Sequence, residues 1–289
     1  MEKISNQKYR SEIDGLRALA VIGVILNHFN FPILSSGYLG VDIFFVISGY
    51  VITSSLTSKK QSKDFKEFIF NFYSRRIKRL IPALIFYVLV ISIFVCIFVP
   101  EKEVILRTGI SSLFGLSNFY LLKQSTDYFA QTTELNPFTN TWSLGVEEQF
   151  YFLFPIIFWV SGLGKKLKNG FKNFTLISIT LSIFSILIFI WLYNSNLQIA
   201  YFLMPTRFWE LSAGVLIFIA ERKIGENKNI FSNISSNIFF ILLIGIMFLP
   251  EEMGLIGTLM IVITTIFFLL TIKKNDNTYK FLTNKVSLF

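Results

Sequence analysis

Residues 80–99 read LIPALIFYVLVISIFVCIFV, a stretch without a single charged side chain. An α-helix needs about 20 consecutive apolar residues to cross the hydrocarbon core of a membrane. Comparable apolar segments recur along a chain that is 53% hydrophobic and 16% charged, and they lie at about residues 14–33, 38–57, 107–122, 143–164, 174–193, 199–220, 234–250 and 254–272. The sequence therefore predicts an all-α, polytopic membrane protein of about eight crossing helices, with no soluble domain.

The rare residue types exclude several classes of function. His28 is the only histidine and Cys96 the only cysteine, so the chain alone can build neither a disulfide nor a metal site of several histidines or cysteines. Neither of the common glycine-rich phosphate loops occurs. Basic cytoplasmic loops explain the net charge of +9 better than nucleic-acid binding does. We therefore expect the lipid bilayer as a partner, but no metal and no nucleic acid.

The basic residues also predict the orientation. Most of the 27 lysines and arginines lie in five stretches that should face the cytoplasm, which are those before the first apolar segment and at residues 58–79, 165–172, 221–231 and 273–285. Residues 100–142 and 250–253 should face outward. The cytoplasmic and the outward-facing stretches can all lie on their predicted sides only if one apolar segment does not cross the membrane. Residues 107–122, which are interrupted by Gly109 and Gly115, are therefore predicted to form a re-entrant or interfacial segment. The predicted protein lies in the inner (cytoplasmic) membrane, crosses it several times and has a cytoplasmic N-terminus.

Charged residues within or at the edges of the apolar segments need an explanation, because each costs roughly 2.5 to 3.5 kcal/mol in hydrocarbon. They are Asp14, Arg17, Asp42, Glu147, Glu148, Arg207 and Glu210. A spacing of i, i+3 would let Asp14 pair with Arg17 and Arg207 with Glu210, which is a purely structural explanation. The functional alternative is a polar cavity lined by these side chains.

Arg17 and His28 lie 11 residues apart in the first apolar segment. At about 100° per residue both project from one helix face, roughly 16 Å apart along the axis. Imidazole is the side chain best suited to general-base chemistry near neutral pH. A hydrogen-bonded histidine in a helix contact explains the spacing equally well, so both interpretations stay open here.

The loop at residues 58–79 ends in FYSRRIKRLIP, with Arg75, Arg76, Lys78 and Arg79 packed against the start of the third apolar segment. Such a cluster usually anchors a cytoplasmic loop or contacts lipid head groups. The functional alternative is an anion site at a helix entrance, where guanidinium groups and the helix N-terminus bind a phosphorylated donor.

Residues 136–155 read NPFTNTWSLGVEEQFYFLFP. In the structural interpretation, Ser143 caps a helix whose first turn contains Glu147 and Glu148, because carboxylates stabilise a helix N-terminus. Two adjacent carboxylates that enter an apolar run beside Trp142 are, however, a costly way to cap a helix. The sequence therefore favours a functional role for this pair.

Together these motifs resemble those of the membrane acyltransferase 3 family, whose members move acyl groups, commonly acetyl, from coenzyme A to extracytoplasmic sugars. The first segment, with Arg17 and His28, is similar to the opening helix of the family. GYLGVDIFFVISGYVIT is similar to the second-helix signature and contains Asp42, Ser48 and Gly49. The further matches are FYSRRIKRLIPA through Arg76 and Arg79, TWSLGVEEQFY through Trp142, Ser143, Glu147 and Glu148, and RFWELSAG through Arg207, Glu210 and Gly214.

The resemblance implies that an acyl-CoA, commonly acetyl-CoA, is the donor substrate, with no bound cofactor. It also implies that arginines hold the CoA phosphates at the cytoplasmic mouth, namely Arg76 and Arg79, with Arg75 beside them and Arg17 as a further ligand. The pantetheine arm would carry the thioester inward over a distance comparable with that from Arg17 to His28.

The resemblance places His28 at the acyl carbon, either as general base on an acceptor hydroxyl or as a nucleophile that forms an acyl-imidazole. Glu147 or Glu148 would orient the imidazole or bind the acceptor, an extracytoplasmic glycan. The remaining motif residues are expected in the cavity walls, and they are Asp14, Asp42, Ser48, Trp142, Ser143, Arg207 and Glu210.

The chain departs from the family pattern at two places. Asn140 stands where many members have His before Thr-Trp-Ser-Leu, and the sequence stops at KFLTNKVSLF, where similar proteins continue into another helix and often an esterase-like domain. We expect residues 1–289 to form one membrane domain that lacks a final helix, with an extracytoplasmic esterase-like partner. Two other functions stay open, a transporter or flippase and an inactive or partner-dependent membrane subunit.

Overall fold

The computed structural model of the protein describes residues 10–29, 34–57, 64–126, 136–165, 167–224 and 234–284. In those ranges the regular secondary structure is helical, without a strand. The α-helices are α1 (Ser11–His28), α2 (Gly40–Thr57), α3 (Phe65–Phe98), α4 (Glu103–Leu113), α5 (Ser117–Thr126), α6 (Thr141–Val160), α7 (Gly170–Ser195), α8 (Leu197–Phe202), α9 (Met204–Ile224), α10 (Ser236–Ile246), α11 (Gly254–Thr271) and α12 (Asn277–Leu282).

Several helical segments in the described ranges are long and apolar enough to cross a membrane. They are Gly37–Thr57, Phe65–Phe98, Gly170–Ser195, Leu197–Arg222 and Glu251–Thr271. The structure thus confirms an all-α polytopic membrane protein. The number of crossings stays a prediction.

The chain splits into two compact units. Unit 1 comprises residues 1–59 and 209–289, and unit 2 comprises residues 60–208, so α9 begins in unit 2 and continues in unit 1. In unit 1, α1 packs against α2 and α12, and α11 packs against α2 and α10. In unit 2, α6 contacts α3, α4, α5, α7 and α8. The motif helices α1 and α2 of unit 1 and α3 and α6 of unit 2 therefore each pack against at least two others.

Two glycines let α2 and α9 touch within unit 1. A Cβ atom on Gly49 would lie 1.7 Å from the carbonyl oxygen of Leu211, and one on Gly214 would lie 1.9 Å from that of Val46. Small residues at such contacts let helix backbones approach closely in membranes, where packing rather than water exclusion holds helices together. The glycines of the second and last motifs are therefore required by this contact.

The long helix α3 begins at Phe65, well before the predicted apolar segment at residue 80. Phe68 and Phe72 are buried on one of its faces, and the Phe68 ring lies 5.9 Å from that of Phe158 on α6. The prediction that the chain is a loop up to residue 79 is wrong for residues 65–79. Six charged side chains interrupt the apolar pattern of residues 65–79, so a prediction from apolar runs alone missed this part of the helix.

The segment predicted to be re-entrant or interfacial, residues 107–122, forms parts of two short helices. α4 and α5 meet at Gly115, whose φ of +66° is a conformation that favours glycine. With 11 and 10 residues, each helix is shorter than the 17 or so residues that a crossing needs. Residues 107–122 do not form one membrane-spanning helix, and their orientation stays a prediction.

Candidate functional site

The first helix carries an ion pair at its start. The Nη1 atom of Arg17 lies 3.1 Å from the Asp14 carboxylate, and the two side chains are 28% and 30% exposed. The predicted i, i+3 pairing is thereby confirmed for these two residues. A guanidinium has five N–H donors, so this pairing leaves Arg17 able to bind an anion as well.

His28 is the last residue of α1 and is exposed. Its Nδ1 atom lies 2.9 Å from the carbonyl oxygen of Val24, one turn earlier. Because a carbonyl oxygen can only accept, Nδ1 carries the proton in this contact. A neutral imidazole held in this way has an unprotonated Nε2 atom, which is the form that a base or nucleophile requires.

The polar residues of the second motif are buried in unit 1. Asp42 and Ser48 are 4% and 7% exposed. Asp42 lies in the first turn of α2, where a carboxylate is favoured by the helix dipole. This position gives Asp42 a structural explanation that the sequence pattern did not reveal.

A charged cluster that sequence reasoning missed joins four helices of unit 1. Nη1 of Arg10 binds the Tyr50 hydroxyl at 3.0 Å, and Nη2 donates to the carbonyl of Leu269 at 3.2 Å. Arg10 also pairs with Glu12 and Glu221, and the Tyr50 hydroxyl donates to Glu221 at 2.7 Å. Burial alone would lower the pKa of Arg10, but Glu221, Tyr50 and Glu12 together outweigh that effect and raise it. The guanidinium therefore stays charged as it holds α1, α2, α9 and α11 together.

The arginine cluster lies well inside α3 of unit 2 rather than at its start. The prediction that a helix N-terminus contributes to anion binding at this cluster is therefore wrong, because the effect of the helix dipole is confined to the first turn. Arg75 and Arg79 are exposed, whereas Arg76 is half-buried against α6. Its Cζ atom lies 4.6 Å from the ring centre of Tyr151. Arg76 and Arg79 are one turn apart on α3. The cluster can therefore bind an anion through neighbouring guanidinium groups.

The capping explanation for the two glutamates is wrong. Helix α6 begins at Thr141, its first turn contains no acidic residue, and Ser143 lies inside the helix, where its hydroxyl donates to the Asn140 carbonyl at 3.2 Å. An earlier turn, in which the Asn136 side chain accepts from the backbone N–H of Phe138 at 3.0 Å, leads into this start. Glu147 and Glu148 consequently lie too far along α6 to cap it.

The two glutamates have different surroundings. The Tyr151 hydroxyl donates to Oε2 of Glu147 at 2.7 Å. The carboxylate of Glu148 instead packs against Gly115, where an added Cβ atom would lie 2.4 Å from its Oε2. One glutamate is thus fixed by a side chain of its own helix and the other by the turn between α4 and α5.

Polar side chains hold that turn in place, with Ser117 and Asn118 buried and Gln149 half-buried. Gln149 donates to the Gly115 carbonyl at 3.1 Å and to the Asn118 side chain at 2.8 Å. Asn118 donates to the Phe202 carbonyl at 3.0 Å, and the Ser117 hydroxyl donates to the Thr141 carbonyl at 2.6 Å. Sequence reasoning missed this network, although the polar residues within an otherwise apolar segment were its signal.

Arg207 is buried among aromatic rings in unit 2. Its Cζ atom lies 5.0 Å from the ring centre of Tyr201, 5.1 Å from that of Phe189 and 5.9 Å from that of Trp142. Its Nε donates to the Tyr201 carbonyl at 3.2 Å. Glu210, in the part of α9 that belongs to unit 1, is fully buried. The pairing of Arg207 with Glu210 stays a prediction.

The structure distributes the sequence-predicted residues over both units. Unit 1 contains Asp14, Arg17, His28, Asp42, Ser48 and Glu210, and unit 2 contains Arg75, Arg76, Arg79, Trp142, Ser143, Glu147, Glu148 and Arg207. Within unit 2, Arg76 and Glu147 both contact Tyr151. Among the described residues, no three acidic, histidine or cysteine side chains are grouped so that they could hold a metal ion.

Comparison with known families agrees with the motifs. Residues 10–288 match the acyltransferase 3 family, described as an acyltransferase domain, and the chain therefore belongs to that family. It is similar to the O-acetyltransferase OatA of Staphylococcus aureus strain NCTC 8325 / PS 47, with 41% identity over 222 residues, which are 76% of this chain and 36% of OatA. OatA of strain N315 gives the same values. The chain spans about a third of the length of these relatives, and no solved structure matches it.

Proposed function

We propose that the chain is the membrane part of an O-acetyltransferase. It takes an acyl group, acetyl in the first instance, from a cytoplasmic acyl-CoA and passes it to a hydroxyl of an extracytoplasmic glycan. Family membership and the name of the S. aureus relatives support this class of reaction. In this proposal the protein lies in the cytoplasmic membrane with its N-terminus inside, and an extracytoplasmic esterase-like protein is its proposed partner.

The hydrogen bond from Nδ1 of His28 to the Val24 carbonyl is the observation that carries the proposal. It leaves Nε2 with a lone pair at the exposed end of α1. As a base, Nε2 takes the proton of the acceptor hydroxyl while that oxygen attacks the thioester carbon and CoA leaves as the thiolate. As a nucleophile, Nε2 itself attacks that carbon and expels CoA as the thiolate, and the acceptor oxygen later displaces the imidazole, which takes the hydroxyl proton as it leaves. Both routes use the same nitrogen.

Arg76 and Arg79 are the proposed ligands of the CoA phosphates, with Arg75 beside them on α3. Arg17 is a further proposed ligand, oriented by its ion pair with Asp14. Guanidinium groups suit this task because they form two parallel hydrogen bonds to a phosphate and remain charged.

Glu147 and Glu148 supply the carboxylates of the proposed reaction. Each is held by a neighbour, Glu147 by the Tyr151 hydroxyl and Glu148 by the turn at Gly115. Carboxylates fixed in this way can orient an imidazolium or accept hydrogen bonds from sugar hydroxyls. The wall roles of Asp42, Ser48, Trp142, Ser143, Arg207 and Glu210 remain those that the family motifs predict.

Reconstitution in liposomes with radiolabelled acetyl-CoA and a glycan acceptor tests this proposal. The expected result is release of free CoA together with label on the glycan in a base-labile ester. A transporter would move label across the bilayer without releasing CoA. If CoA is not released and label does not move, the chain is an inactive subunit. The transporter result and the inactive result would each overturn the proposal.

The donor site is tested in the same assay with Arg76→Ala and Arg79→Ala. Each is expected to raise the KM for acetyl-CoA about tenfold or more, since a charge-assisted hydrogen bond contributes about 1.5 to 3 kcal/mol. Arg107→Ala is the matched control, because Arg107 is an exposed arginine of α4 that pairs with Glu103. An unchanged KM in both cluster variants would make the cluster a topological anchor only.

A further inference from the structure

We infer that Tyr151 is a positioning residue that holds the donor-site arginine and the acyl-transfer carboxylate in one fixed arrangement. The inference rests on the proposed function, which assigns Arg76 to the donor phosphates and Glu147 to the transfer step. All three residues lie in unit 2, Arg76 on α3 and the other two on α6. Tyr151 is the last residue of the TWSLGVEEQFY motif, but the sequence analysis assigned it no role.

The contacts of Tyr151 involve two different parts of its side chain. Its ring lies under the guanidinium of Arg76, with 4.6 Å between Cζ and the ring centre. Its hydroxyl donates to Oε2 of Glu147 at 2.7 Å. Because the ring is rigid, any shift of it changes its contact with the cation over its face and its contact with the carboxylate at its tip together.

Neighbouring packing keeps the Tyr151 ring in place. The side chain is 7% exposed, and its ring contacts that of Phe150. Glu147 precedes it by four residues, which places the two side chains next to each other on one face of α6. Tyr151 touches neither donor nor acceptor in the proposed reaction, so its effect on catalysis must pass through Arg76 and Glu147.

The same pair of helices provides a control tyrosine. The hydroxyl of Tyr73 on α3 donates to the carbonyl of Phe152 on α6 at 2.8 Å, and the two rings stack with centres 6.2 Å apart. Tyr73→Phe therefore removes the hydroxyl of a tyrosine that lies between α3 and α6, as Tyr151→Phe does, but leaves Glu147 untouched.

The variants separate the two contacts. Tyr151→Phe keeps the ring under Arg76 and removes the hydrogen bond to Glu147, so we expect kcat to fall roughly tenfold with an unchanged KM for acetyl-CoA. Tyr151→Leu removes both contacts, so KM should rise several-fold as well. Tyr73→Phe should leave both constants within about twofold of wild type.

The test measures CoA release against acetyl-CoA concentration for the reconstituted full chain, with elution from gel filtration as the check on folding. Arg76→Ala and Glu147→Gln are measured first, and if neither changes the kinetics, the proposed function fails and the inference with it. If they do change the kinetics but Tyr151→Phe behaves like Tyr73→Phe, the inference alone is overturned.

A double variant makes the test independent of general damage to the helix contact. On a Glu147→Gln background, Tyr151→Phe should add less than about a twofold further loss, because the hydroxyl then no longer faces a carboxylate. A full additional tenfold loss would show that Tyr151 acts on something other than Glu147 and would overturn the inference.

Discussion

Helices α2 and α3 combine hydropathy and burial in opposite ways. The segment of α2 has a mean hydropathy of 1.7 and is 72% buried, whereas that of α3 has a mean hydropathy of 2.9 and is 17% buried. In water the more apolar helix would be the buried one. In a bilayer an apolar face is satisfied by lipid, so the helices that need protein neighbours are those with small and polar residues.

The same contrast between hydropathy and burial holds between the segment that contains α9 and the segment of α7. The segment Leu197–Arg222 has a mean hydropathy of 1.3 and is 78% buried, while Gly170–Ser195 has a mean hydropathy of 2.4 and is 17% buried. The buried polar motif residues follow the first class of helix, because Asp42 and Ser48 lie on α2, and Arg207 and Glu210 lie on α9, whereas the half-buried Arg76 lies on α3. Low hydropathy in a spanning helix is therefore the better guide to where polar motif residues are buried in this chain.

The largest expected effect is that of filling the contact between α2 and α9. Gly49→Val would place side-chain atoms on the backbone of Leu211, so we expect loss of folded protein after detergent extraction. Gly245→Val on α10 is the control, because an added Cβ there meets nothing within 4 Å. Equal yields of monodisperse protein from both variants would show that the close contact is not needed.

A phenylalanine from each class of helix tests the comparison directly. Phe45 on α2 is fully buried, and Phe86 on α3 is 70% exposed. Phe45→Ala should lower the free energy of unfolding by about 3 kcal/mol or more, since it leaves a cavity, and Phe86→Ala by less than about 0.5 kcal/mol, since lipid replaces the ring. Similar thermal midpoints for the two variants in lipid would contradict the assignment of α3 to the lipid-facing class.

A smaller effect is expected for the Arg10 cluster. Arg10→Gln removes the cation that Glu221 and Tyr50 share, and should cost about 1 to 3 kcal/mol because both partners are partly buried. Arg107→Gln breaks an exposed pair with Glu103 and should cost well under 1 kcal/mol. Thermal unfolding of the two variants checks the difference, and equal midpoints would count against a structural role for the cluster.

Much of the fold follows from the sequence, because apolar runs of spanning length leave few alternatives to a membrane helix. Prediction from hydropathy failed where charged and apolar residues share one helix, as in residues 65–79 of α3, which were predicted to be a loop. It also missed the cluster of Arg10, Tyr50 and Glu221, since residues so far apart in the chain meet only through tertiary packing.

The candidate site was predictable residue by residue but not in its contacts. The motifs identified Arg76 and Glu147, whereas their shared neighbour Tyr151 appears only once α3 and α6 are packed together. The start of α6 at Thr141 likewise depends on the preceding turn at Asn136, which no capping pattern within TWSLGVEEQFY reveals.

The central claim, that Nε2 of His28 carries out the acyl transfer, is tested most directly by CoA release from acetyl-CoA in His28→Ala and His28→Gln. Both variants should lose at least about a hundredfold in rate, in line with general acid–base contributions, while extraction and elution match wild type. Ile25→Ala, which changes another exposed residue of α1, should keep the wild-type rate. A His28→Ala protein that releases CoA within about threefold of the wild-type rate would contradict the account.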